Sequence, residues 1–157
     1  MIEHTQELFN YAISLIKVYS PWDKEYFPNP EEYSKEEFYV ERTNALFVYT
    51  MTFILCHEYA HVEKEHLRQR EEGNDSLKAR IEFEEEADAR AVELMLNGAT
   101  EKTYKTICGG ILIGLCSMLF FRKEIVSTDH PDTDNRIDDF MKRINPESTD
   151  PLCVWRC

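Results

Sequence analysis

The sequence predicts a mainly α-helical protein with little or no β-sheet. Long stretches lack proline and glycine, apolar residues recur within them at helical spacing, and short groups of turn-forming residues separate them. The chain has 157 residues, of which 43% are hydrophobic, and this is enough for one buried core. We therefore expect a single domain over residues 1–157, in which residues 145–157 form a flexible tail.

An amphipathic helix is expected near the N-terminus. Residues 2–19 place most of their apolar side chains on or near one face, and Pro21 lies just beyond that pattern. A loop rich in proline and aromatic residues follows. Ser34 and Glu37 then have the spacing of a capping box, so a second helix can start there.

The middle of the chain predicts two longer helices. The run 44–68 contains no proline or glycine and can form one continuous helix. Aromatic and β-branched residues are frequent in 38–50, which leaves a strand there as the alternative. After a loop at 71–76, a helix is expected over 77–96, and Asn97-Gly98 would end it.

The segment 106–121 is apolar enough to raise the question of a membrane. It has 16 uncharged residues, fewer than the roughly 20 that a bilayer requires. Gly110 and Gly114 have the GxxxG spacing by which helices pack closely. We expect a buried core helix over 101–121, no membrane insertion, and a last helix over 132–144.

Charge and cysteine content exclude several classes of protein. The formal net charge of −12 disfavours binding to nucleic acid and to anionic membrane surfaces. The five cysteines form no CxxC pattern, which is typical of a reducing compartment rather than of a disulfide framework. The N-terminus shows no secretory signal. We therefore expect a cytoplasmic protein without a nucleic-acid partner.

The sequence HEYAH places two histidines on one side of the 44–68 helix. His57 and His61 lie about 40° apart around the helix axis, so both rings can reach one ion. Glu58 lies about 100° from His57, where its carboxylate can act on a water beside that ion. This is the HExxH arrangement. The alternative is two partly exposed histidines that bind no metal.

A catalytic zinc needs a third protein ligand and one open position. Cys56 adjoins His57 and points about 100° away from it. His66 follows His57 by nine residues and would project about 180° away on a continuous helix. We therefore expect Cys56 not to be a ligand and His66 to face solvent.

The helix expected over 77–96 offers acidic ligands. Glu84, Ala87, Asp88 and Ala91 share one stripe, and the alanines would let another helix come close. Glu84 can then bind the ion, while Asp88 can accept the ring N–H of a ligand histidine. The other acidic residues are expected to be solvated: Glu82, Glu85 and Glu86. The alternative is that the whole acidic face is solvated.

Three motifs in order carry a resemblance to known metallopeptidases. HEYAH followed by EEEAD, Glu84 to Asp88, resembles the HExxH…ExxAD pattern of gluzincin peptidases. HPDTDNRI, which begins at His130 and contains Arg136, resembles the HP-x4-RI element of the HtpX and CAAX-prenyl-protease families. The order over about 44–144 is also similar to the family of the phage-exclusion peptidase Lit. The ImmA/IrrE-type peptidases share the first two motifs.

The resemblance implies a compact minimal zincin, in which the active-site helix packs on an acidic ligand helix. It implies a Zn²⁺ ion with these ligands: His57, His61 and Glu84. Glu58 would be the catalytic base, and Asp88 would accept a hydrogen bond from the second ring N–H of a ligand histidine. His130 and Arg136 would lie beside the active site as candidate donors to the oxyanion. The alternatives are a loop cap for His130 and a structural salt bridge for Arg136.

The function implied is a zinc-dependent endopeptidase with a restricted protein or peptide substrate, in phage defence or stress response. Larger gluzincins align the substrate on the edge strand of a sheet. Only residues 36–50 could supply a strand upstream of the HEYAH helix here. The alternative function is therefore a zinc-binding interaction or regulatory module with weak or no catalysis.

Overall fold

The computed structural model describes residues 5–15, 18, 21, 23, 25, 37–121, 133–147, 150 and 152–153. The helices within them are α1 Thr5–Leu15, α2 Glu37–Glu63, α3 His66–Glu71, α4 Leu77–Leu96, α5 Glu101–Phe121 and α6 Thr133–Ile144. None of the described residues is in a strand, so the prediction of a mainly helical protein is confirmed. The alternative of a strand at 38–50 is wrong, because α2 contains that segment.

Contacts divide the chain into two units, residues 1–41 and residues 42–157. The first unit contains α1, which lies within the helix expected over 2–19; residues 2–4, 16–17 and 19 of that prediction lie outside the described residues. The second unit contains most of α2 and all of the later helices. The single domain over 1–157 stays a prediction. The proposed cap residue Ser34 lies outside the described residues.

The bounds of α4 follow from its capping residues, of which the sequence predicted Asn97-Gly98 at the end of the helix. The Ser76 side chain accepts a hydrogen bond from the backbone N–H of Ala79 at 3.2 Å, which satisfies one free donor of the first turn. After Asn97, Gly98 adopts a φ of 87°, a left-handed conformation that glycine tolerates best. The predicted helix over 77–96 is thereby confirmed.

The core of the second unit is built around α5. Its buried side chains are Ile107, Cys108, Ile111, Leu112 and Leu115. Other helices and the C-terminal segment complete the cluster with Phe53, Ala91, Val92, Met95, Phe140, Met141 and Leu152. The prediction of a buried core helix is therefore confirmed. Within the described parts of the chain, no helix is long and apolar enough to cross a membrane.

Glycines bring α2 and α5 into close contact. A Cβ on Gly110 would lie 2.5 Å from the Cβ of Tyr49, so only glycine fits without a shift. The Thr50 hydroxyl donates a hydrogen bond to the Gly110 carbonyl at 3.0 Å. At Gly114 a Cβ would lie 2.8 Å from the Phe53 ring. This contact anchors α2 one turn before its first motif histidine.

The long helix predicted over 44–68 is interrupted. α2 ends at Glu63, and Glu65 adopts a left-handed conformation with φ 56° and ψ 33° before α3 begins at His66. His66 is therefore not on the continuation of α2, and it is only 2% exposed. The prediction that His66 faces solvent is wrong, because it assumed one continuous helix.

Candidate metal centre

The site lies between the C-terminal part of α2 and the middle of α4. Small side chains on both helices are fully buried: Ala60, Ala87 and Ala91. Helices that meet through small residues can approach closely. Polar side chains of α2 and α4 can therefore contact each other across this interface. Arg90 of α4 also binds both carboxylate oxygens of Glu63, at 2.7 and 3.0 Å.

Three side chains bring donor atoms together on the α4 side of α2. The Nε2 atoms of His57 and His61 are 3.1 Å apart. Glu84 places Oε2 3.4 Å from His57 Nε2 and Oε1 3.6 Å from His61 Nε2. Ligand atoms of a tetrahedral zinc, each about 2.0–2.2 Å from the ion, lie roughly 3.3–3.6 Å from one another. These three residues therefore form a group that can hold a metal ion.

The chemistry of this donor set fits zinc. Two imidazoles and one carboxylate are among the ligand sets of catalytic zinc sites, and three protein ligands leave a fourth position open. The side chains of His57 and Glu84 are 6% and 13% exposed, whereas that of His61 is 24% exposed. Glu58 is exposed on the neighbouring position of α2. The group is thus accessible to solvent on the side of His61 and Glu58.

Asp88 lies behind His57, as the motif spacing predicts. Its Oδ1 atom is 2.9 Å from His57 Nδ1, so the ring N–H can be donated to it. Arg136 of α6 donates to both Asp88 oxygens at 2.6 Å. Burial raises the pKa of Asp88, but the hydrogen bonds from His57 and Arg136 outweigh it and hold the pKa below its usual value. Asp88 is therefore ionised and acts as an acceptor.

The two histidines of the motif differ in their electrostatics. Burial lowers the pKa of His57, but hydrogen bonds to Asp88 and Glu84 and their negative charges raise it to about 9. Burial lowers the pKa of His61 as well, and the neighbouring charge of His57 lowers it further. The carboxylates of Glu84 and Glu58 act in the opposite direction on His61. The acidic neighbours thus favour the protonated form of His57, whereas burial and the charge of His57 disfavour a second positive charge on His61.

His66 joins this group, which sequence reasoning missed. Its Nδ1 atom lies 2.9 Å from His61 Nδ1, and its Nε2 atom lies 3.3 Å from Glu86 Oε2. The His66 ring stacks on Phe83, with centroids 4.4 Å apart and an interplanar angle of 19°. Glu86 is 56% exposed in its side chain, as expected for a solvated residue, yet it also contacts His66.

The other predicted site residues have different outcomes. His130 lies outside the described residues. Arg136 is 5% exposed and bound to Asp88, which is the geometry of the salt-bridge alternative. Cys56 packs against the core cluster, and burial raises the pKa of its thiol; its exclusion as a metal ligand stays a prediction.

Comparison with known proteins identifies a family. Searches of curated proteins and of solved structures gave no match. The model of the family Peptidase U49 matches residues 1–157. The expected membership of a peptidase family is thereby confirmed, whereas the similarity to individual gluzincin families stays a prediction. Because the match extends over the whole sequence, the chain belongs to the Peptidase U49 family.

Proposed function

We propose that this chain is a zinc-dependent endopeptidase that cleaves a restricted protein or peptide substrate. Its family implies peptidase activity. The observation that carries the zinc assignment is the grouping of two imidazole nitrogens with one carboxylate. His57 Nε2 and His61 Nε2 are 3.1 Å apart, and the Glu84 carboxylate places Oε2 3.4 Å from the first and Oε1 3.6 Å from the second, close to the ligand separations around one tetrahedral ion. The resemblance to the Lit family supports a role in phage defence or stress response.

His57, His61 and Glu84 would hold the ion. When bound, zinc would polarise the carbonyl of the scissile peptide and lower the pKa of the attacking water towards about 7. The contact between His57 Nδ1 and Asp88 keeps that ring turned so that Nε2 points towards Glu84. These residues therefore both bind the metal and orient its ligands.

Glu58 is the proposed general base. It directly follows the buried ligand His57, is exposed to solvent, and acts electrostatically on the ring of His61. A carboxylate in that position can take a proton from the attacking water and pass it to the leaving amine. A site that only stabilised the fold would not need an acidic side chain there.

His130 is the proposed donor to the oxyanion, on the resemblance alone. For Arg136 the geometry favours the structural alternative, because its Nε and Nη2 atoms both donate to Asp88. Arg136 would then act through Asp88 on the orientation of His57. It would not contact the substrate.

A second candidate function is a zinc-binding interaction module with weak or no catalysis. The observation in its favour is a series of large apolar side chains, each 42% exposed or more, on the turns of α2 around Glu58: Met51, Leu55, Tyr59 and Val62. Exposed apolar patches often mark interaction sites. The described residues also offer no strand on which a substrate could align.

The deciding experiment compares cleavage sites across a bacterial lysate after treatment with wild-type protein and with Glu58→Gln. Glu82→Gln serves as the matched control, because Glu82 is an exposed glutamate on α4 paired with Lys78. We expect cuts with wild type and Glu82→Gln that are absent with Glu58→Gln. Identical cut sites in all three samples would contradict the assignment of Glu58, and no cuts in any would favour the interaction module.

A further inference from the structure

His66 is a buried polar side chain to which the proposed mechanism gives no role. It is 2% exposed, and a buried imidazole is costly unless its nitrogens have hydrogen-bond partners. Both nitrogens have one: His61 Nδ1 at 2.9 Å and Glu86 Oε2 at 3.3 Å. Phe83 covers one face of the ring. The His66 ring is therefore held at two edges and on one face.

The backbone before His66 adopts an unfavourable conformation to place it there. Glu65 is in the left-handed region with φ 56°, where residues other than glycine are uncommon. Its side chain forms no capping hydrogen bond to α3. This turn carries His66 from the far side of the helix axis to the edge of the His61 ring. Backbone strain of this kind persists where surrounding contacts determine it.

The contacts of His66 select one arrangement of ring protons. An ionised carboxylate only accepts, so Glu86 places the proton of neutral His66 on Nε2. His66 Nδ1 is then an acceptor, and the neighbouring His61 Nδ1 must be the donor across the 2.9 Å contact. Neutral His61 consequently has its lone pair on Nε2, the atom that lies 3.6 Å from Glu84 Oε1.

The other ligand histidine is arranged in the same way by different residues. Asp88 accepts from His57 Nδ1 at 2.9 Å, which leaves the lone pair of His57 on Nε2. A histidine that binds a metal commonly donates its second ring N–H to a carboxylate, carbonyl or water. For His57 this acceptor is a carboxylate, and for His61 it is a second imidazole with a carboxylate behind it.

We propose that His66 is a positioning residue for the metal ligand His61, and that His66 and Glu86 together keep His61 Nε2 directed towards His57 and Glu84. This inference rests on the proposed zinc site. It goes beyond the HExxH…ExxAD pattern, which lies before His66 in its first part and leaves the position of Glu86 unspecified in its second. His66 does not itself contact the metal or the substrate.

Zinc affinity of the full chain, measured by competition with a chromogenic chelator, tests the proposal. His66→Leu removes the acceptor and retains apolar volume next to Phe83, whereas His66→Asn offers a carboxamide oxygen near the position of Nδ1. We expect His66→Leu to weaken zinc binding by about 10–100-fold, the usual effect of removing such a partner. His66→Asn should restore most of that loss.

Glutamate variants provide a test at the surface, where folding is not at risk. Glu86→Ala should weaken zinc binding less than His66→Leu does, because water can reach the exposed position and replace the carboxylate. Glu82→Ala is the matched control, since both side chains are 56% exposed and lie one turn apart on α4. It should leave the zinc affinity unchanged. Equal affinities for Glu86→Ala and Glu82→Ala would overturn the role of Glu86.

Ring ¹⁵N NMR of the zinc-loaded chain gives a readout that packing alone would not produce. We expect protonated Nδ1 in His61 and protonated Nε2 in His66. A proton on His66 Nδ1 would overturn the proposal, as would equal zinc affinities for His66→Leu, His66→Asn and wild type. Equal weakening in both His66 variants would also overturn it, because it would indicate a packing effect. Absence of zinc binding by wild type would instead refute the proposed function and this inference with it.

Discussion

The two halves of α2 pack against different helices by different means. Around Tyr49 and Phe53, α2 contacts α5 through Gly110 and Gly114, and the contact is tight and largely apolar. We call this part of α2 its apolar half. After Phe53, α2 contacts α4 through histidines and carboxylates, and the burial of these polar groups has a free-energy cost. We call this part of α2 its polar half. We infer that the first contact stabilises and positions the helix, while the second depends on its hydrogen bonds and a bound cation. Substitutions in the two halves should therefore have separable effects.

The largest expected effect tests the polar half through catalysis. Glu58→Gln keeps the size of the side chain and removes the base, so activity should fall by about 10²–10⁴-fold. Zinc content should stay at the wild-type level, because Glu58 is not one of the three residues proposed to hold the ion. Initial rates on a peptide that spans a cut site found in the lysate measure the change. Loss of zinc in this variant would contradict the separation of base and ligands.

Removal of a ligand should abolish metal binding without disturbing the apolar half. We expect about one zinc per chain in wild-type protein and almost none in His57→Ala or Glu84→Ala, since two remaining ligands hold zinc poorly. Zinc should raise the wild-type unfolding temperature and leave that of the ligand variants unchanged, because a ligand stabilises only the state that binds it. Elemental analysis and thermal unfolding measure both effects. Full zinc content in Glu84→Ala would refute its assignment as a ligand.

Two arginine–carboxylate pairs near the contact between α2 and α4 differ in burial, and their contributions to stability can be compared directly. Arg136→Ala removes two hydrogen bonds from the largely buried Asp88 carboxylate and leaves it only His57 as a partner, so it should lower the free energy of unfolding by about 3 kcal/mol. Arg90→Ala breaks the bidentate pair with the partly exposed Glu63 and should change stability little, since water screens and solvates both groups. Urea unfolding of the metal-free proteins measures the difference. Similar losses for both variants would mean that burial does not distinguish the pairs.

Adjacent glycines in α5 test the apolar half. Gly110→Ala places a Cβ 2.5 Å from Tyr49 Cβ and 3.1 Å from the backbone of Thr50, so it should destabilise by about 1–3 kcal/mol. Gly109→Ala meets only the flexible end of Leu46, and its higher helix propensity should offset much of that contact. The temperature increase on zinc addition should be the same in both variants. A smaller increase in Gly110→Ala would show that the two halves of α2 are coupled.

The parts of the site that sequence reasoning predicted depend on local geometry. His57 and His61 are four residues apart in one helix, and helical spacing alone places both rings on one side. Glu84 and Asp88 have the same spacing in α4, whose start and end are marked by Ser76 and Gly98. Within each helix, the four-residue spacing places the two side chains on the same side, whichever helix packs against them.

The residues that were missed or uncertain depend on contacts between distant parts of the chain. The pair of Arg136 and Asp88 joins positions 48 residues apart, so spacing could not distinguish a salt bridge from a catalytic role. Glu86 was expected to be only solvated, because its contact with His66 depends on how α3 lies against α4. These relations follow from packing and not from helix periodicity.

The sequence by itself determined the helical class, the bounds of α4 and α5 and the spacing of the HExxH motif, because these depend on propensity, capping and periodicity within short segments. The tertiary structure alone decided that His66 is buried beside His61. That position follows a left-handed conformation at Glu65, a residue type that does not signal it, and the His66 ring then contacts Phe83 and Glu86 on another helix, which periodicity within one segment does not reveal.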